Sequence, residues 1–107
     1  MFARTVTVRL KANMKAEFQK TLENEIVPVL RKRQGFQDEL TLVSQDGTEA
    51  IGISLWDSKQ NAESYQRETY PEVQKILAKV IEGTPQVKTH DVPYTTLTRA
   101  ARGSGSA

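Results

Sequence analysis

Apolar and polar residues alternate from Phe2 to Leu10: Phe2, Arg4, Val6, Val8 and Leu10 take one side of an extended chain, Ala3, Thr5, Thr7 and Arg9 the other. A period of two is that of a β-strand with one covered face. The period then changes. Phe18, Leu22, Ile26, Val29 and Leu30 recur at helical spacing after Asn13, which is placed to cap, and before Gly35, which is placed to stop the helix. Pro28 removes one backbone donor inside this stretch, so a kink or loosened turn is expected there rather than a break.

Phe36–Ser44 and Glu49–Trp56 read as two strands joined through Asp46-Gly47, a pair that accepts the positive φ of a tight hairpin. Asp57 and Ser58 offer a cap for a short helix carrying Ala62 and Tyr65. Thr69 to Glu72, with Pro71 in the first turn, has a capping-box pattern for a second helical piece through Val73, Ile76, Leu77 and Val80 to a stop near Gly83. Gln86–Thr98 returns as a last strand interrupted at Pro93. The order is βαββαβ, an α+β domain over residues 1–98, and residues 99–107 have the composition of a flexible tail.

The third strand separates its faces by size. Ile51, Ile53 and Leu55 are expected to pack under the helices, leaving Ala50, Gly52, Ser54 and Trp56 on the opposite face. There the small side chains leave volume, Trp56 closes one end, and Thr5, Thr7 and Arg9 supply polar groups from the first strand. This face reads as a cavity wall, with Thr7, Gly52, Ser54 and Tyr65 as ligand contacts. Trp56 has two readings of equal weight, a platform for a flat ligand or a core plug. His90, the only histidine, is a candidate general base, although no acidic or hydroxyl partner stands at motif spacing and a packing role is the commoner fate. About one of Tyr65, Tyr70 and Tyr94 is expected to offer its phenol to a ligand.

Composition narrows the classes. With 107 residues and a hydrophobic share of 37%, a monomer has a thin core that pairing with a second copy enlarges, so a homodimer is expected. The 15 basic and 13 acidic residues are interleaved, and the run Arg31, Lys32, Arg33 reads as a helix end, so nucleic acid is not an expected partner. The absence of cysteine excludes disulfides, thiolate metal sites and cysteine nucleophiles. No cluster suits a metal and no Gly-rich phosphate loop occurs. No apolar run approaches the ~20 residues of a membrane span, so no membrane association and a cytoplasmic location are expected.

Arg33-Gln34-Gly35-Phe36 at the helix-to-strand junction and Leu55-Trp56-Asp57-Ser58-Lys59-Gln60 entering the second helix complete the pattern. Over the first ninety or so residues the chain resembles the antibiotic biosynthesis monooxygenase family. That resemblance implies a ferredoxin-like subunit with an antiparallel sheet that pairs with a second copy into a dimeric α/β barrel. Haem-degrading members of such folds carry an asparagine on the first strand, a tryptophan on the second helix and a histidine after it. Here Val6, Thr7 and Val8, then Tyr65, then Lys75 stand at those places. Cofactor-independent oxygenases place an asparagine four residues before a tryptophan like Trp56, and here that position is Gly52. The resemblance implies oxidation of a phenolic or quinol-type molecule by molecular oxygen without a bound cofactor. Trp56, Arg9 and His90 would be its catalytic candidates, Arg9 stabilising the anion. A non-catalytic small-molecule-binding or stress-associated dimer, and a purely structural assembly module, stay open beside it.

Overall fold

A computed structural model describes residues 1–97 of the chain, so the tail expected over 99–107 lies outside the described residues. Four strands form, β1 (Phe2–Leu10), β2 (Phe36–Val43), β3 (Glu49–Trp56) and β4 (Ile81–Asp91), in one antiparallel sheet of order β2-β3-β1-β4. The first crossover contains α1 (Lys15–Thr21), a π-helical turn (Leu22–Ile26) and α2 (Val27–Arg31); the second contains α3 (Lys59–Glu68) and α4 (Tyr70–Leu77). This is the expected βαββαβ order and a ferredoxin-like fold.

The loosened turn expected at Pro28 is the π-turn just ahead of it. Pro28 has no N–H for the carbonyl of Asn24, so an unbroken α ladder cannot pass it. The chain widens to bonds of five-residue reach, such as Val27 N–H to the Leu22 carbonyl, and the apolar stripe continues on both sides. Asn13 does not cap: it takes φ 61°, and helix α1 begins after Met14 without a side-chain bond. Ser58 does cap α3, its Oγ accepting the Asn61 N–H at 3.2 Å. The capping box at Thr69 does not form, and Thr69 meets the Glu72 and Val73 amides with its backbone carbonyl instead.

The hairpin forms where expected. Gly47 takes φ 75°, and the Asp46 carboxylate accepts bonds from Ser44 Oγ and from both the amide and hydroxyl of Thr48. Gly35 also has positive φ, 86°, and a Cβ there would stand 2.4 Å from Asp57 Oδ1, so this junction admits only glycine. The last strand begins earlier than expected. Helix α4 stops at Leu77, and Ile81 is already paired with Leu10; Gly83 and Pro85 lie within β4, in a bulge against β1. An edge strand tolerates proline there because the missing donor has no neighbour to serve.

Register corrects the face assignment. Phe2 stands opposite Trp56, Arg4 opposite Ser54 and Val6 opposite Gly52, so even-numbered residues of β1 and β3 share a face. That face is the one under the helices. Phe2, Val8, Leu10, Ala50 and Trp56 join Phe18, Ile26, Leu30, Ala62, Tyr65, Tyr70, Val73 and Leu77 in the main core. Ile51 and Ile53 lie on the opposite face, where Ile53, Ala3, Leu55, Met1 and Val92 form a small separate cluster containing no helical residue. The expectation put Thr5, Thr7 and Arg9 of β1 on one face with Ala50, Gly52, Ser54 and Trp56 of β3, which this register forbids, since it sets those β3 residues beside Phe2, Arg4, Val6 and Val8.

Candidate functional site

The small side chains of β3 do leave space, but between the sheet and the helices. A cavity of about 60 Å³ sits there. Since a water needs about 10–15 Å³ on this scale, it has room for a few waters or the first part of a small ring. Its floor is three rows across the sheet. Glu39, Ser54 and Arg4 form one, Thr41, Gly52 and Val6 the next, and Val8 belongs to the third. Its roof is Phe18, Leu22, Ile26 and Leu30 from the first crossover and Tyr65, Tyr70, Val73 and Leu77 from the second. Leu22 and Ile26 are the two ends of the π-turn, so the widened backbone lies directly over the space.

Arg4 is the unusual member. It is only 3% exposed, its guanidinium carbon lies 4.9 Å from the Tyr65 ring centre and 4.7 Å from that of Tyr70, and it donates to Gln66 Oε1. Cation–π contacts with two rings offset part of the desolvation of the charge. They do not neutralise it. No carboxylate among the described residues forms a salt bridge with Arg4, and its Nε has no hydrogen-bond partner. The Tyr70 hydroxyl on the same wall is likewise buried and unpartnered.

Burial shifts the protonation of these groups. It lowers the affinity of Arg4 for its proton, against the tyrosines, which raise it. Burial pushes the Tyr65 phenol up to about 12 and raises Tyr70 as well, so both stay neutral under ordinary conditions. At the other end of the row, burial raises the Glu39 carboxyl, partly opposed by the hydroxyl of Thr41 that donates to it. A carboxyl held above its usual range is the right kind of group to take a proton from a weak acid and return it.

Trp56 is fully buried and does not line the cavity. It packs edge-on to Phe36 with ring centres 5.7 Å apart and against Tyr65 at 5.0 Å, and its Nε1 donates to Ser54 Oγ at 2.9 Å. It is a plug behind the cavity wall that fixes two lining residues, Tyr65 and Ser54. Bonding to Trp56 uses a lone pair of Ser54, whose hydroxyl proton stays available as a donor.

Of the residues singled out in the sequence, Gly52, Ser54 and Tyr65 meet at the cavity. Thr7, Arg9 and His90 do not. Thr7 and Arg9 border a shallow groove with Glu49 and Glu82 away from it, and His90 is exposed on the edge strand opposite Ala3. Sequence reasoning missed Arg4, Glu39 and Thr41, and where it expected about one of Tyr65, Tyr70 and Tyr94 at the ligand, both Tyr65 and Tyr70 line the cavity. The available signal was Arg4 within the apolar set of β1, an arginine in phase with Phe2, Val6, Val8 and Leu10. Among the described residues no group of three or more His, Asp or Glu is placed to hold a metal ion, and no helix is long and apolar enough to cross a membrane.

The fold, though not the site, can be compared with that of known proteins. No protein-family model matches the sequence, and no curated protein matches it. Solved structures do. The monooxygenase ActVA-Orf6 of Streptomyces coelicolor, in complex with nanaomycin D, superposes with a TM-score of 0.74 at 18% identity, covering 90% of each chain. SnoaB of Streptomyces nogalater, a cofactor-independent oxygenase, gives 0.71 at 13% identity, over 90% of this chain and 96% of that one. A putative antibiotic biosynthesis monooxygenase of Bordetella bronchiseptica gives 0.72 at 14% identity, over 87% and 97%. At these identities the likeness is one of fold, and chemistry has to come from the site.

Proposed function

We propose that the chain binds a small phenolic molecule in the cavity between sheet and helices and oxidises it with molecular oxygen, without a bound cofactor. The observation that carries this is the cavity itself: apolar walls with a half-buried carboxyl, Glu39, and a buried cation, Arg4, at opposite ends of one floor row. The fold shared with a cofactor-independent oxygenase supports the same reading. A phenol can supply all the electrons needed. One oxygen atom enters the ring to give a quinone and the other leaves as water, taking the two hydrogens that the ring and its hydroxyl lose. The protein's share is to exclude water, orient the ring, accept the phenolic proton at a Glu39 carboxylate oxygen and stabilise the anion that then meets oxygen. At about 60 Å³ the space is smaller than a whole aromatic ring needs, so even a single-ring substrate enters only as the lining side chains move apart, and larger ring systems are disfavoured.

The reading includes a homodimer. Leu40 and Leu42 of β2 are 43% and 48% exposed on the sheet face away from the helices, beside Ile51 and Ile53 of β3. An apolar row on an open sheet face is the kind of surface a second copy covers.

Oxygen uptake with a series of single-ring phenols and hydroquinones tests the activity. Consumption that saturates with substrate, yields quinone and persists in chelator is expected, and Glu39→Gln is expected to slow it by about 10²-fold or more. Uptake no faster than in buffer for every compound would leave a binding protein, the reading the cavity supports without any chemistry.

A further inference from the structure

We infer that Arg4 is an anion subsite and that the ligand of this cavity is an aromatic carboxylic acid, bound with its carboxylate on Arg4 and its ring hydroxyl toward Glu39. This rests on the cavity being the ligand site, as proposed above, and narrows what it takes.

The argument begins with charge. An arginine that is only 3% exposed calls for a compensating anion, and no carboxylate among the described residues pairs with it. Tyr65 and Tyr70 contribute ring faces, and Gln66 one neutral acceptor. The Nε–H has no acceptor among the described residues, and the Tyr70 hydroxyl, on the same cavity wall, has no partner among them either. Two unmatched donors, one of them on a full positive charge, call for an anionic acceptor such as a carboxylate, which reaches them once the wall opens slightly, because both atoms are closed to solvent as the chain stands. A phenol does not meet this need on arrival, because it comes neutral at ordinary pH and acquires charge only after giving up its proton. A carboxylate arrives charged.

Geometry then sets the rest of the molecule. Arg4 and Glu39 are separated by Ser54 in one row across three strands, so their backbones stand about 10 Å apart and their side chains approach from the two ends. Between them the floor is Gly52, Val6 and Ser54 and the roof is apolar. Gly52 leaves the middle of the floor flat: a Cβ there would come within 3.7 Å of Glu39 Oε2. A flat ring carrying an acid at one end and a hydroxyl at the other matches this arrangement. Glu39 would repel a second carboxylate when ionised, so the order of the two groups is fixed.

Calorimetric titration with 4-hydroxybenzoate, 4-hydroxybenzamide and 4-methylphenol tests the inference, since the first two share shape and ring hydroxyl and differ in charge. The acid is expected to bind at least about tenfold tighter than its amide, and Arg4→Gln to bring the two within about twofold. Arg4→Lys should keep part of the preference, because the charge stays while the planar fork is lost. In the unaltered protein, acid binding should also shift the side-chain Nε–H resonance of a single arginine, a readout that does not require the variants to fold. Equal binding of acid and amide, or a preference that survives in folded Arg4→Gln, would overturn the anion subsite while leaving a phenol-binding cavity. Failure of all three compounds to bind would overturn the cavity reading together with it.

Discussion

At the scale of the residue, Ser54 and Trp56 show how one hydrogen bond ties the core to the site. The indole N–H is buried and has Ser54 Oγ as its acceptor. Ser54→Ala should therefore cost about 1–3 kcal/mol in urea unfolding, more than the loss of an exposed hydroxyl. Tyr65 gives a pH signature. Its folded value of about 12 lies above the unfolded value near 10, so the folded state holds the phenolic proton longer. Stability is full below about pH 10 and falls as pH rises toward 12. Tyr65→Phe should flatten that fall, with Tyr70 accounting for a remaining slope in the same direction. Trp56 was legible as large and important, and of its two readings the plug is what the structure shows. Arg4 was not legible as a site residue, because an isolated arginine in an alternating strand looks the same whether its end reaches water or two tyrosine rings.

At the scale of the element, the strands and the hairpin could be read because each rests on local chemistry: alternation for the strands, Asp46-Gly47 for the turn. The donors of the turn, Ser44 Oγ–H first and then the hydroxyl and amide of Thr48, hold the Asp46 carboxyl down at about 2, below its unfolded range. The stabilisation is present above the unfolded value, near 4, and is lost as pH falls toward 2, so Asp46→Asn should weaken the pH dependence of urea unfolding in that window. Gly35→Ala should destabilise by more than about 1 kcal/mol, since positive φ and the close approach of Asp57 act together. The start of β4 was not legible. Gly83 and Pro85 look like punctuation in a sequence, and only pairing with Leu10 at one end and Thr7 at the other shows that the strand passes through them as a bulge.

At the scale of the whole molecule, the βαββαβ order was readable, and which sheet face meets the helices was not, because that depends on a register that no single strand contains. Light scattering should report twice the 12.0 kDa chain mass, and Leu42→Glu should shift the population to monomer by placing a charge on the open face. A monomer at micromolar concentration in the unaltered protein would remove the dimer from the proposal and leave the cavity intact, since every residue lining it belongs to one chain.

The strict alternation of the strands has a consequence for how such a chain can diverge. Arg4, Val6, Glu39, Thr41 and Ser54 border the cavity, while their sequence neighbours Thr5, Leu40, Leu42 and Ile53 belong to the opposite surface. Selection can change what is held inside at every second codon without altering the outer face. A lineage can thus exchange ligands while keeping its assembly, and a mutational library restricted to those five positions would sample new specificities on an unchanged exterior.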